Sequence, residues 1–208
     1  IKPIIGCEVY VAPRGRTRFQ KAHEFDAESR HLVLLCRNEE GYRNLSYMVS
    51  QAFLEGFYIK PRIDMDLLRE HCGGLIACSA CLAGELPRLL LAGEYDQAKA
   101  TALEMQELFG PDGYYLELQD HGIPSQKQVN AGLRRLHEET GIPLIATNDA
   151  HYLRREDAEM QDILMCIQMG KTVDDPNRLR METSELYVKS TEEMAALFPD
   201  YPEAVENT

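Results

Sequence analysis

Asp149 and His151 stand two residues apart in the run Ala146-Thr147-Asn148-Asp149-Ala150-His151-Tyr152, directly after the apolar segment Pro143-Leu144-Ile145-Ala146. That segment reads as a buried strand closed by a turn, so both side chains can face one point just past a strand end. α/β proteins build their sites there. A carboxylate oxygen and an imidazole nitrogen together suit Zn, Mn or Fe. A plainer reading stands beside this one, in which Asp149 caps the helix that follows.

Three further positions share the setting of a predicted strand. Glu8 lies within Gly6-Cys7-Glu8-Val9-Tyr10-Val11, where a buried carboxylate must be paired or ligated. His31 opens the next strand, and if Pro13 to Arg30 forms a hairpin loop, His31 returns close to Glu8. Cys81 follows the strand Leu75 to Ser79. Each has a bland alternative: an exposed edge carboxylate, a hydrogen-bonded strand histidine, an ordinary buried thiol. His23, His71 and His137 read as loop or helix-surface residues, while His121, in Asp120-His121-Gly122 after a strand end, can line the same mouth. Cys78-Ser79-Ala80-Cys81 has redox-pair spacing, but no aromatic or Pro supports that motif. A structural zinc site would need a second close Cys pair, which the sequence does not contain.

The elements that must position these groups alternate. Strands are predicted at Ile4 to Val11, His31 to Cys36, Leu75 to Ser79, Tyr114 to Leu118, Leu144 to Ala146 and near Leu186–Lys189. The polar, basic stretch from Pro13 to Arg30 shows no helical period. A helix capped by Asn38 carries Tyr42, Leu45, Met48, Val49 and Phe53 on one face and ends near Gly56. Pro61 breaks the next segment, and Asp64 caps a short helix. Two helical stretches follow at about Glu85–Leu91 and Glu94–Phe109. Ser125 and Gln128 make a capping-box pattern for a helix to Thr140. A helix from Glu156 to Met169 ends at Gly170, and Ser190 with Glu193 opens another. Short apolar strands between helices predict a parallel sheet covered by helices, as a barrel or an open doubly wound sheet.

The 208 residues suffice for one domain with a sizeable core, and a net charge of −12 argues against a surface that grips nucleic acid by itself. No apolar run reaches membrane-span length, and nothing reads as a signal peptide. The six Cys are scattered and read as reduced thiols of a cytoplasmic protein. The chain opens directly on a strand without Met and stops where a helix begins, the expectation being an excerpt of a longer polypeptide.

Several segments together resemble one family. Ile1-Lys2-Pro3-Ile4-Ile5-Gly6-Cys7-Glu8, Gly41-Tyr42-Arg43-Asn44-Leu45, Glu55-Gly56-Phe57-Tyr58 and Lys60-Pro61-Arg62-Ile63-Asp64 are similar to the polymerase and histidinol phosphatase (PHP) domain. The likeness is to the version at the N-terminus of the bacterial replicative DNA polymerase III alpha family. Gly74-Leu75-Ile76-Ala77, the Asp149 run and Leu186-Tyr187-Val188-Lys189-Ser190 continue it in order, so that it covers essentially the whole chain.

The resemblance implies a distorted TIM-like (β/α)7 barrel, here missing its first strands, whose strand ends hold up to three divalent metals (Zn, Mn or Fe). Carried over by position, its ligands fall on Glu8, His31, Cys81, Asp149 and His151. The family's opening His-x-His motif and the Asp and His ligands after it belong upstream of Ile1. The 208-residue piece is therefore expected to bind metal weakly and not to fold alone. Residues 1–190 are read as PHP domain and 191–208 as the start of a connection toward polymerase domains.

The implied function is that of a segment of a DNA-directed DNA polymerase acting in replication, with DNA and other replisome subunits as partners. Its site would hydrolyse 3′-terminal phosphodiesters, as a proofreading 3′-5′ exonuclease does. The metals would activate water and contact the phosphodiester as Lewis acids. His151 or an upstream His could protonate the leaving oxygen. The alternatives are a free-standing phosphoesterase of the histidinol phosphatase kind and a metal-free scaffold of the polymerase.

Overall fold

A computed structural model describes residues 2–22 and 24–208. Ile1, in the predicted opening strand, and His23, read as a loop histidine, lie outside the described residues.

The first strand, β1 (Gly6–Val11), alternates as its sequence requires, burying Val9 and Val11 and turning Glu8 and Tyr10 to the other face. A basic loop and a short helix, α1 (Glu24–Ala27), lead to β2 (Arg30–Cys36), which pairs antiparallel with β1. The loop does work as a hairpin connection, although the sequence carried no sign of α1. Arg62 holds it in place. Fully buried, it donates to the carbonyls of Gly56, Asp26, Arg18 and Gln20, so its charge is solvated by backbone rather than by water.

Asn38 caps α2 (Glu39–Leu54) by accepting from the Gly41 N–H at 3.0 Å. The buried stripe of α2 is Leu45, Met48 and Ala52, whereas Tyr42 and Phe53, expected on that face, are exposed. Gly41 permits the close approach of α2 to the β4 entry, since a Cβ there would lie 1.9 Å from the Gly74 carbonyl oxygen. The two-residue β3 (Arg62–Ile63) pairs parallel with β1, and Asp64 caps α3 (Met65–Glu70).

The chain continues through β4 (Leu75–Cys78), α4 (Glu85–Leu91), α5 (Tyr95–Phe109) and β5 (Tyr114–Leu118). Next come α6 (Pro124–Thr140), β6 (Leu144–Ala146), a 3-10 turn and α7 (Ala158–Met169). The predicted capping box at Ser125 does not form. Pro124 occupies the first turn, and the Gln128 amide donates to the Leu90 carbonyl instead. The strand predicted near Leu186–Lys189 reduces to a single bridge between Tyr187 and Tyr152. Ser190 and Glu193 do form a capping box, opening α8 (Thr191–Leu197), and α9 (Pro202–Glu206) follows.

Among the described residues the strands make one open sheet in the order β3-β1-β2-β4-β5-β6. It is mixed rather than parallel as expected, because β2 runs antiparallel to both β1 and β4 while the remaining pairs are parallel. The hairpin return from β1 to β2, with no full helical crossover, is the cause. Val9, Leu32, Leu34, Ala77, Tyr114, Leu116 and Leu144 share one face and pack under α2, α4, α5 and α6 as a single core. Phe198 and Ala204 of the last two segments join that core, and the Asn207 amide and Thr208 hydroxyl donate to the Leu144 and Ala146 carbonyls. An open sheet with helices on one face fits part of a (β/α) barrel.

Candidate metal centre

The face turned away from the helices carries Glu8, Tyr10, His31, Val33, Cys78, Tyr115 and Glu117, as the strand registers dictate. On this face three potential ligands meet. Glu8 Oε1 lies 2.9 Å from His31 Nδ1, and Cys81 Sγ lies 3.7 Å from the same nitrogen. One donor atom from each of the three falls within 4.8 Å of the others. A cation bound at about 2.0–2.3 Å by N, O and S donors in tetrahedral geometry spaces those donors by about 3.3–3.8 Å, so the cluster needs only small side-chain shifts to accept one. Carboxylate, imidazole and thiol together suit a borderline cation such as zinc.

Each side chain arrives by a different route. Glu8 projects from the middle of β1. His31 is the second residue of β2, its N–H donating at 3.2 Å to the Ala83 carbonyl and so fixing it beside the turn after β4. Cys81 is delivered by that turn, where Ala80 adopts φ 63°, a left-handed conformation rare outside glycine. Strand ends β1, β4, β5 and β6 lie at one edge of the sheet, where side chains from separate connections can converge.

The electrostatics match the geometry. Hydrogen bonds with Cys81 and then Glu8 raise the His31 imidazolium to about 9, against the opposing effect of burial. The hydrogen bond from His31 holds the Glu8 carboxyl below its usual range. In the absence of a cation a proton on His31 thus ties the three groups together.

Asp149 and His151 do not enter that close triad. They occupy the turn after β6, where Asp149 adopts φ 43° and its carbonyl oxygen lies 2.8 Å from His151 Nδ1. That contact leaves Nε2 as the free nitrogen of His151. The charge of His151 lowers the Glu8 pKa, and that of Asp149 raises the Glu117 pKa, so the turn shares one electrostatic field with the triad. His121 is buried at the same mouth, its Nε2 2.7 Å from the Asn148 carbonyl and its Nδ1 2.8 Å from the Gln126 amide nitrogen. His71 and His137 lie elsewhere, in contacts with Asn44 and with the Ile142 carbonyl. Cys78 is buried and burial drives its thiol pKa far up, which disfavours the thiolate that a redox pair with Cys81 would use.

Glu117 is the site residue that the sequence reading missed. Burial pushes its carboxyl up to about 7, while hydrogen bonds from Thr147 and the Ala80 N–H pull the other way. The available signal was a carboxylate inside an apolar strand, the same one that singled out Glu8.

Among the described residues no helix is long and apolar enough to cross a membrane. The PHP domain family model matches residues 1–121. DNA polymerase III subunit alpha of Treponema pallidum is 51% identical over 209 residues, covering 100% of this chain and 18% of the relative. The protein of the same name from Borreliella burgdorferi is 50% identical over 208 residues, with the same coverage. That from Thermus aquaticus is 46% identical over 200 residues, or 96% of this chain and 16% of the relative. The chain therefore spans less than a fifth of these relatives. With more than half of its length matched by the family model, and a fold that fits part of the family's barrel, this chain belongs to the PHP domain family.

Proposed function

We propose that the chain is the PHP segment of a bacterial replicative DNA polymerase III alpha subunit, and that it holds divalent metal and hydrolyses the 3′-terminal phosphodiester of a DNA strand. The observation that carries this reading is the meeting of Glu8, His31 and Cys81 on one point from distant parts of the chain. Names of relatives at 46–51% identity supply the polymerase context.

Glu8, His31 and Cys81 would hold one cation, with Asp149 and His151 reaching in from the β6 turn. When bound, such cations supply Lewis-acid contacts to phosphate oxygen and lower the pKa of water. The protein's own part is to fix donors and move protons. Before a cation binds, Glu8 accepts from His31 and keeps the ring oriented, and Ala80 and Asp149 hold their turns in left-handed backbone. His151, its Nδ1 held by the Asp149 carbonyl, keeps Nε2 as the nitrogen that would face the cation.

In this reading residues 1–190 form the PHP unit and 191–208 begin the connection to polymerase domains, footed on β6 by α9 and the two residues after it. The parent enzyme is cytoplasmic, binds DNA and works among other replisome subunits.

The test is Asp149→Ala in the full-length polypeptide, scored for 3′ nucleotide removal from a mismatched primer and, separately, for nucleotide addition. Removal should fall by about two orders of magnitude, the scale of losing one proton-transfer or ligand role, with addition unchanged. An undiminished removal rate, or none in the parent protein purified without chelator, defeats the reading and leaves a scaffold.

A further inference from the structure

Glu117 reaches two turns at once. Its carboxylate accepts the backbone N–H of Ala80, the residue directly before Cys81. The side chain of Thr147, two residues before Asp149, lies near enough to favour its charged form. Its own N–H donates to Ser79 Oγ at 2.9 Å, and the Ser79 N–H donates to the Tyr115 carbonyl at 3.0 Å. On the other side the Gln119 amide donates to Thr147 Oγ at 3.1 Å, and the Thr147 N–H to the Leu118 carbonyl at 3.1 Å. At 6% exposure the carboxylate is walled off from water.

A buried carboxylate is costly and is kept where its hydrogen bonds fix something. Both turns it serves carry a non-glycine residue in the left-handed region, Ala80 at φ 63° and Asp149 at φ 43°. Such conformations persist only where the surroundings over-determine them. The Ala80 N–H can reach Glu117 only while that left-handed turn holds, and the turn sets where Cys81 points.

We propose that Glu117 is a positioning residue that locks the Cys81 turn and the Asp149 turn together across β5, so that ligands from β4 and β6 face the same cation. The role rests on the metal-site reading above. Among the described residues Glu117 lies outside the close group of ligand atoms from Glu8, His31 and Cys81, and its Oε2 is taken up by the Ala80 N–H.

The test uses the full-length polypeptide and Co(II) alone as the probe, following thiolate-to-cobalt charge-transfer absorption and Co(II) affinity. Alkylation of Cys81 without metal, tracked by mass of its peptide, is the second readout. Glu117→Ala should remove the Cys81-dependent band, weaken Co(II) by about tenfold or more, the usual cost of losing a group behind a ligand, and speed Cys81 alkylation several-fold. Glu117→Gln, which retains an oxygen acceptor, should restore most of all three. Ala80→Gly placed on Glu117→Ala should also restore them, because glycine adopts the left-handed turn unaided. Thr147→Val should weaken Co(II) while leaving the Cys81 band in place.

If Glu117→Ala leaves band, affinity and alkylation unchanged, the proposal is wrong. It is equally wrong if neither Glu117→Gln nor Ala80→Gly restores them, since the loss is then general destabilisation. An unchanged affinity in Thr147→Val overturns the Asp149 half. A parent protein that binds no Co(II) sinks the metal-site reading, and Cys81 alkylation still decides the positioning role.

Discussion

Glu8 Oε1 reaches His31 Nδ1 at 2.9 Å although the two residues are not opposite each other in the ladder: Glu8 faces Val33, and His31 faces Tyr10. The contact is diagonal on one face of a hairpin, within reach of long side chains. It leaves the opposite face to Val9, Val11, Leu32 and Leu34, which build the core. One alternation therefore separates the stabilising face of the sheet from its chemical face.

The His31–Glu8 bond predicts a measurable titration in metal-free protein. His31 is raised from 6.5 to about 9, with Cys81 the larger cause and Glu8 the next. A raised folded-state value means that its stabilisation is complete below about 6.5 and disappears as pH climbs through about 9. Glu8→Gln should move the His31 imidazole resonance midpoint downward and flatten stability across that window. An unchanged midpoint in the variant refutes the bond.

Metal uptake should oppose that proton. A cation requires neutral imidazole, so each binding event releases protons and affinity rises with pH. Calorimetry of Zn(II) binding in two buffers of different ionisation enthalpy would show proton release near neutral pH, reduced in His31→Ala. Binding without proton release contradicts use of His31.

Glu117 gives a stability signature of the same sign as His31 in a lower pH window. Its carboxyl lies at about 7 against 4.5 for the free group, chiefly through burial, so the folded state holds its proton more tightly than the unfolded state does. Stability conferred on the protonated form is full below about 4.5 and is lost as pH rises through about 7. Denaturant unfolding of metal-free Glu117→Gln should lack this decline between the two values. A decline equal to that of the parent assigns it elsewhere.

Arg62 makes a stability prediction away from the site. Its guanidinium fork satisfies four carbonyls that a Lys ammonium cannot span. Arg62→Lys should cost about 2–4 kcal/mol, the scale of losing buried charged hydrogen bonds. It should also open the loop between β1 and β2 to proteolysis. Wild-type unfolding and an uncut loop would show that the four carbonyls do not need it.

Much of this architecture was legible where local pattern suffices. β1, β2, β4, β5 and β6 announce themselves through apolar alternation or short apolar runs, and Asn38, Asp64 and Ser190 cap helices as their chemistry requires. β3 was hidden because two residues behind Pro61 carry no period. The capping pattern at Ser125 misled because Pro124 starts that helix one residue earlier. Strand direction was legible only at the β1–β2 hairpin, since periodicity is blind to orientation. The meeting of Glu8 with His31 followed from that hairpin, but the arrival of Cys81 depends on β2–β4 pairing, which leaves no local trace. Glu117 carried the same mark as Glu8, a carboxylate inside an apolar strand, but its bond to the Ala80 turn leaves no trace in sequence.

The most direct measurement is anomalous diffraction at the zinc and manganese edges from crystals of the full-length polypeptide grown with each metal. The account predicts a peak at bonding distance from Glu8, His31 and Cys81, with Asp149 or His151 beside it. Ordered side chains at those positions with no anomalous peak among them, under conditions that load metal elsewhere in the molecule, would contradict it.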